Sequence, residues 1–153
     1  MPHLRLYVPE EWLDDDFRRQ TGFDAKKLLD HLVDVVANLR MERPAGPEAE
    51  NGSAEPGLVP MINLNNLKHA IVPLQYAHVG GDASKRFLHV TLAAGNDTPG
   101  RTAAVRVRAA RDLGDAVDRF VGDLPELASV TVHVQDIDRD RGYSTTAERK
   151  KKR

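Results

Sequence analysis

The chain contains no cysteine. Disulfides, thiol nucleophiles and thiolate metal sites are therefore all excluded. Such a chain suits a reducing cytosol, and a cytoplasmic protein is expected. Aromatic residues make up only 5% of the sequence, so the core is expected from Leu, Val, Ile and Ala. No apolar run approaches the length of a membrane span. No basic stretch leads into an apolar run near the start, so no signal peptide is expected. The formal charge is -1, which gives no global pull towards nucleic acid or membrane. The charge is uneven, however, and Arg149 to Arg153 are all basic.

What is present fits one domain of 153 residues. His3 to Val8 alternates, with Leu4, Leu6 and Val8 on one face and His3, Arg5 and Tyr7 on the other. That is the period of a half-buried strand. Pro2 shares the parity of the apolar residues, which puts its ring at the inner end of the strand. Asp14 to Asp16 and Thr21 to Asp24 read as turns. Leu28, Leu32, Val35, Val36 and Leu39 recur at helical spacing. They predict a helix from about Asp24 to Met41, with Asp24 as N-cap.

Residues 43–60 are rich in Pro, Gly, Glu and Ala, and read as a flexible insertion. A second strand is expected over Leu67 to Tyr76, although Pro73 interrupts it, and Gly80-Gly81-Asp82 signals a turn. Phe87 to Ala93 alternates clearly as a strand. A helix from about Pro99 to Gly122 follows, with Thr98 as cap and Pro99 in its first position. Val130 to Ile137 is the last strand, and residues 138–153 form a charged, disordered tail. The order strand, helix, strand, strand, helix, strand predicts an α/β (α+β) two-layer sandwich.

Three residues are candidates for chemistry. Pro2 follows the initiator Met1, and a small second residue favours removal of that methionine. A free α-amino group titrates at roughly 7.7 to 8.0. Burial and nearby cations both lower that value, towards a base poised for abstraction beside a carbonyl. Met-Pro starts are common, and the dipeptide alone does not assign a function. Arg101 is expected in the first turn of the second helix, where unpaired N–H groups make an anion site. It either grips a carboxylate bidentately or pairs with a surface acid such as Asp97. Lys68, on the second strand, either binds a second carboxylate or is an ordinary edge-strand lysine.

The six histidines show no paired metal-ligand spacing on a helix, and no metal site is expected. His89 and His133 lie on the polar parity of their strands and are read as structural or interfacial. Gly80-Gly81 and Gly95-Asn96 lack the spacing of a phosphate loop or a dinucleotide fingerprint. The basic tail is read as a solubilising end rather than a phosphate contact.

Three stretches together resemble the tautomerase superfamily, and within it the 5-carboxymethyl-2-hydroxymuconate isomerase family. Met1-Pro2-His3-Leu4 is similar to that family's opening. Arg86-Phe87-Leu88-His89-Val90-Thr91-Leu92 resembles its third strand, and Gly100-Arg101-Thr102 its Gly-Arg-Ser at a helix start. The resemblance covers most of the chain and is strongest from Arg86 to Ile137. It implies two β-α-β units forming a four-stranded sheet with two helices on one face, and a homotrimer with an active site at the mouth of each subunit, shared with its neighbour. It further implies a cofactor-independent isomerase of aromatic catabolism. Pro2 would be the acid/base and Arg101 the substrate-carboxylate ligand on a 2-hydroxymuconate-like keto or enol acid. Where the family has arginines on the second strand, this chain has Lys68 and Ala70. Two rival readings remain open at this point. Protonated Pro2 would serve a hydratase, dehalogenase or decarboxylase, and a retained fold without chemistry would serve a trimeric binding protein.

Overall fold

The structure is a computed structural model, and it describes residues 1–43, 57–95 and 100–137. Most of the 43–60 insertion, Thr98, Pro99, Asp97 and the tail from Asp138 lie outside those residues.

Alternation sets the central strands. β1 (His3–Pro9) buries Leu4, Leu6 and Val8 completely, and β5 (Arg86–Gly95) buries Leu88, Val90 and Leu92 as fully. The two pair antiparallel at the middle of a four-stranded sheet. β4 (Lys68–Leu74) lies parallel to β1 on one edge, and β6 (Leu127–Ile137) lies parallel to β5 on the other. The sheet order is therefore β4-β1-β5-β6. Parallel neighbours need a crossover, and a helix supplies each one.

Helix α2 (Ala25–Asn38) links β1 to β4, and α3 (Ala103–Val121) links β5 to β6. Leu28, Leu32 and Val36 of α2, with Leu113, Ala116 and Val117 of α3, are fully buried in one core with the inner sheet residues. The architecture is therefore the expected two β-α-β units, with both long helices on the same side of the sheet.

Several boundaries differ from the expectation. α2 stops at Asn38, and residues 40–42 become a short strand β2 (Arg40–Glu42) paired with β3 (Leu58–Pro60). The end of the predicted loop is thus ordered by a ladder that periodicity could not show. Between β1 and α2 lie a 3-10 turn (Glu10–Leu13) and the short helix α1 (Asp15–Thr21), in a stretch where the sequence suggests only turns at Asp14 to Asp16 and Thr21 to Asp24. Their cause is aromatic. Trp12 is 1% exposed and stacks on Phe17 at 5.1 Å, and Phe23 meets both rings edge-on. Three of the eight aromatic residues, Trp12, Phe17 and Phe23, thus pack together at one place in the core.

Helix α3 begins later than predicted. Thr102 caps it, its Oγ1 accepting from the Val105 N–H at 3.3 Å. Gly100 sits at φ 87, outside the helical region, so no helix can run through it from Pro99. Arg101 therefore precedes the cap and does not occupy the first turn. Replacing Thr102 with alanine is expected to cost about 1 kcal/mol. Thermal unfolding is then expected to drop by roughly 2–4 °C for a domain of this size, and a scan that shows no drop would remove the cap from the account.

Candidate active site

Register decides what surrounds Pro2. His3 pairs with Ala93 in the antiparallel β1–β5 ladder, so the start of the chain lies beside the end of β5. His3 also pairs with Lys68 in the parallel β1–β4 ladder, so the segment leading into β4 arrives at the same place. The Lys68 N–H donates to the Pro2 carbonyl at 3.0 Å and fixes that junction.

The result is a cavity of about 320 Å³ at the inner end of β1. Met1 and Pro2 form one wall, and Ala94 and Gly95 of β5 form the next. The segment from Pro60 to Asn66 closes the third side, through Met61, Ile62, Asn63 and Asn66. Arg101 completes the lining. This volume is at the small end of ligand cavities and admits one small molecule.

The half-buried Arg101 guanidinium ties two of these walls together. It donates to the Gly95 carbonyl and, at 3.1 Å, to the Met61 carbonyl. Its own carbonyl accepts from Arg106, which also binds Asp136 at 2.6 Å. Pro2 and Arg101 are thus brought to one cavity.

Lys68 is not part of that lining. It is exposed, and it shares the face of its register partner His3, whereas Pro2 follows the parity of Leu4 and Leu6. The segment 61–66 carries no prediction from periodicity. The signal that marks it is an asparagine cluster behind two apolar residues. Met61 and Ile62 are buried, and Asn63 caps a 3-10 turn (Leu64–Asn66) by accepting from the Asn65 N–H at 3.0 Å.

The face of the sheet away from the helices has its own character. Its cross-strand rows read Lys68-His3-Ala93-Gln135, Ala70-Arg5-Thr91-His133 and Val72-Tyr7-His89-Thr131. These rows contain five basic side chains and no acid. His89 Nδ1 lies 2.5 Å from Thr131 Oγ1, and its ring centroid lies 5.3 Å from that of Tyr7. Burial lowers the pKa of His3, helped by Arg5, the chain's amino terminus and Lys68. Burial also lowers that of His89, with His133 adding to the effect and a bond to the Thr131 backbone opposing it.

A histidine lowered in the fold binds protons more weakly than the unfolded chain does. Stability from these two groups is therefore complete above their unfolded value near 6.5, and is lost as pH falls towards the lowered folded values. The midpoint of thermal unfolding is expected to fall between about pH 7 and 5, and less so in a chain carrying His3→Gln and His89→Gln. Equal slopes for the two proteins would refute the assignment. Among the described residues no three His, Asp or Glu side chains are grouped as a metal site requires.

A 5-carboxymethyl-2-hydroxymuconate delta-isomerase matches with a TM-score of 0.61 at 17% identity, over 95% of this chain and 87% of that one. A 5-carboxymethyl-2-hydroxymuconate isomerase from Deinococcus radiodurans R1 matches with a TM-score of 0.60 at 15% identity, over 99% and 94%. The fold is that of the tautomerases. A fused 4-OT symmetric trimer shares it, with a TM-score of 0.54 at 16% identity over 94% of this chain and 92% of that one. No protein-family model and no curated protein matches the sequence. At these identities the likeness carries the tautomerase fold, and the chemistry has to be argued from this chain's own cavity. No helix among the described residues is long and apolar enough to cross a membrane.

Proposed function

We propose that this chain is a cofactor-independent tautomerase, in which Pro2, freed by removal of Met1, moves a proton on a small keto or enol carboxylic acid. The observation that carries this reading is that Pro2 and Arg101 line one cavity of about 320 Å³. Met1 lines it too, so its removal both frees the nitrogen and enlarges the space.

The chemistry follows from the pair. The neutral Pro2 nitrogen accepts the enol hydroxyl proton of a 2-hydroxydienoate. The electron pair moves into the dienolate, and the ammonium returns the proton to a carbon further along the chain. Arg101 holds the carboxylate and stabilises the charge that develops on the oxygen. No proton or electron is gained or lost overall. Lys68 and Arg5 contribute to the positive field around the start of the chain, as their effect on His3 indicates, rather than a contact inside the cavity. The trimeric state of the fused 4-OT protein that shares the fold supports a homotrimer here.

The test is ketonisation of 2-hydroxymuconate, followed by absorbance, with protein whose intact mass shows the loss of Met1. Acceleration over the buffer rate is expected for that form and not for a form that retains Met1. Equal rates for the two would end the proposal.

A further inference from the structure

Arg101 is held at its root as well as at its head. The guanidinium donates to the Gly95 and Met61 carbonyls. Its backbone carbonyl accepts from Arg106 Nη1 at 3.0 Å. The same nitrogen donates to Asp136 Oδ2 at 2.6 Å. Asp136 stands on β6 opposite Ala94 in the β5–β6 ladder, which places it beside a wall of the Pro2 cavity. The Arg106 N–H donates to the Thr102 carbonyl at 3.0 Å, so its own place is set by the start of α3. The two side chains are 29% and 28% exposed, and neither lines the cavity.

We infer that Arg106 is a positioning residue that aims Arg101 at a carboxylate in the cavity, and that Asp136 in turn aims Arg106. This deepens the tautomerase reading above and rests on Arg101 as the carboxylate ligand. Arg101 lies between Gly100 and the cap Thr102, outside the helix. Glycine admits more backbone conformations than any other residue, so Gly100 restrains its neighbour little. The bond from Arg106 anchors the Arg101 peptide from the helix side. Asp136 turns that bond into a three-way tie between α3, β6 and the turn. An ion pair this exposed adds little stability. Its use is geometric, because misplacing a substrate-holding group by about 1 Å costs up to about a hundredfold in rate.

The experiment is a double-mutant cycle on protein lacking Met1. Arg106→Met, Arg101→Met and the double variant are compared in two assays. One is ketonisation of 2-hydroxymuconate, and the other is calorimetric binding of trans,trans-muconate, which has no enol to ketonise. Arg106→Met is expected to lower kcat/KM and muconate affinity about tenfold, and to add nothing in a chain that already carries Arg101→Met. A merely structural loss would add in both backgrounds. Arg106→Lys is expected to stay within about threefold of wild type, since one ammonium has three donors and can serve both acceptors that Nη1 serves. Should Arg106→Met not fold, Asp136→Ala with and without Arg101→Met reads the same coupling. If Arg101→Met is impaired and Arg106→Met is not, or if their losses add, this inference falls alone. If the coupling appears in muconate binding and no 2-hydroxymuconate is turned over, the tautomerase reading falls and the positioning stands. An Arg101→Met chain with wild-type kinetics and affinity removes Arg101 from that reading and Arg106 from this one. A wild type that neither binds muconate nor turns over 2-hydroxymuconate overturns both.

Discussion

A Pro2→Ala chain is expected to ketonise 2-hydroxymuconate roughly 10² to 10⁴-fold more slowly than the wild type, the range that a positioned acid/base supplies. The comparison is clean for structural reasons. Alanine is small, so removal of Met1 proceeds as before. The carbonyl of residue 2 still accepts from the Lys68 N–H, so the junction of β1 and β4 is kept. What changes is the nitrogen, from a ring-held secondary amine to a primary amine on a rotatable bond. A loss in kcat with KM little changed places the effect in the chemical step. A rate within about twofold of wild type would take Pro2 out of the mechanism.

Arg101→Lys is expected to lower kcat/KM by about a hundredfold, from losing a charge-assisted carboxylate fork of roughly 3 kcal/mol. Lysine keeps the charge but is a point donor on a flexible stem. It cannot bridge the Gly95 and Met61 carbonyls and hold a carboxylate together. Two readouts separate these roles. Loss of the carboxylate contact appears in steady-state kinetics. Loss of the bridge appears as faster proteolytic cleavage in the segment from Pro60 to Asn66. An Arg101→Lys enzyme with unaltered kinetics would leave Arg101 as a brace alone.

Much of this fold is legible because its core is built from simple alternation. Leu4, Leu6 and Val8, and then Leu88, Val90 and Leu92, mark strands whose inner faces are fully buried. The helical stripes of α2 and α3 are equally plain. Pro2 shares the parity of Leu4 and Leu6 and is among the residues lining the cavity at this end of β1. What escapes depends on partners distant in sequence. β2 and β3 exist only through each other. α1 rests on Trp12, Phe17 and Phe23, whose spacing has no period. Arg101 stands out in the sequence, but its place relative to the helix is set by two residues beside it. Thr102 offers its hydroxyl to Val105, and Gly100 turns the backbone out of helical space. Lys68 attracts notice for its charge. Pairing with His3 puts that charge on the opposite face from the Pro2 cavity, a fact of register that composition cannot supply. Asn63 and Asn66 become visible only because the approach to β4 closes the cavity.

The antiparallel pairing of β1 with β5 sets His3 against Ala93, so the half-buried Met1 and Pro2 lie against the end of β5 instead of at a loose end. On the mechanism proposed above, any purification tag or fusion partner placed ahead of Pro2 would act as an inhibitor in its own right. It would convert the amine to an amide and thread extra backbone through the space a substrate needs. Such handles belong at the other terminus, and a preparation scored as inactive with a leading tag has been assayed in its blocked form.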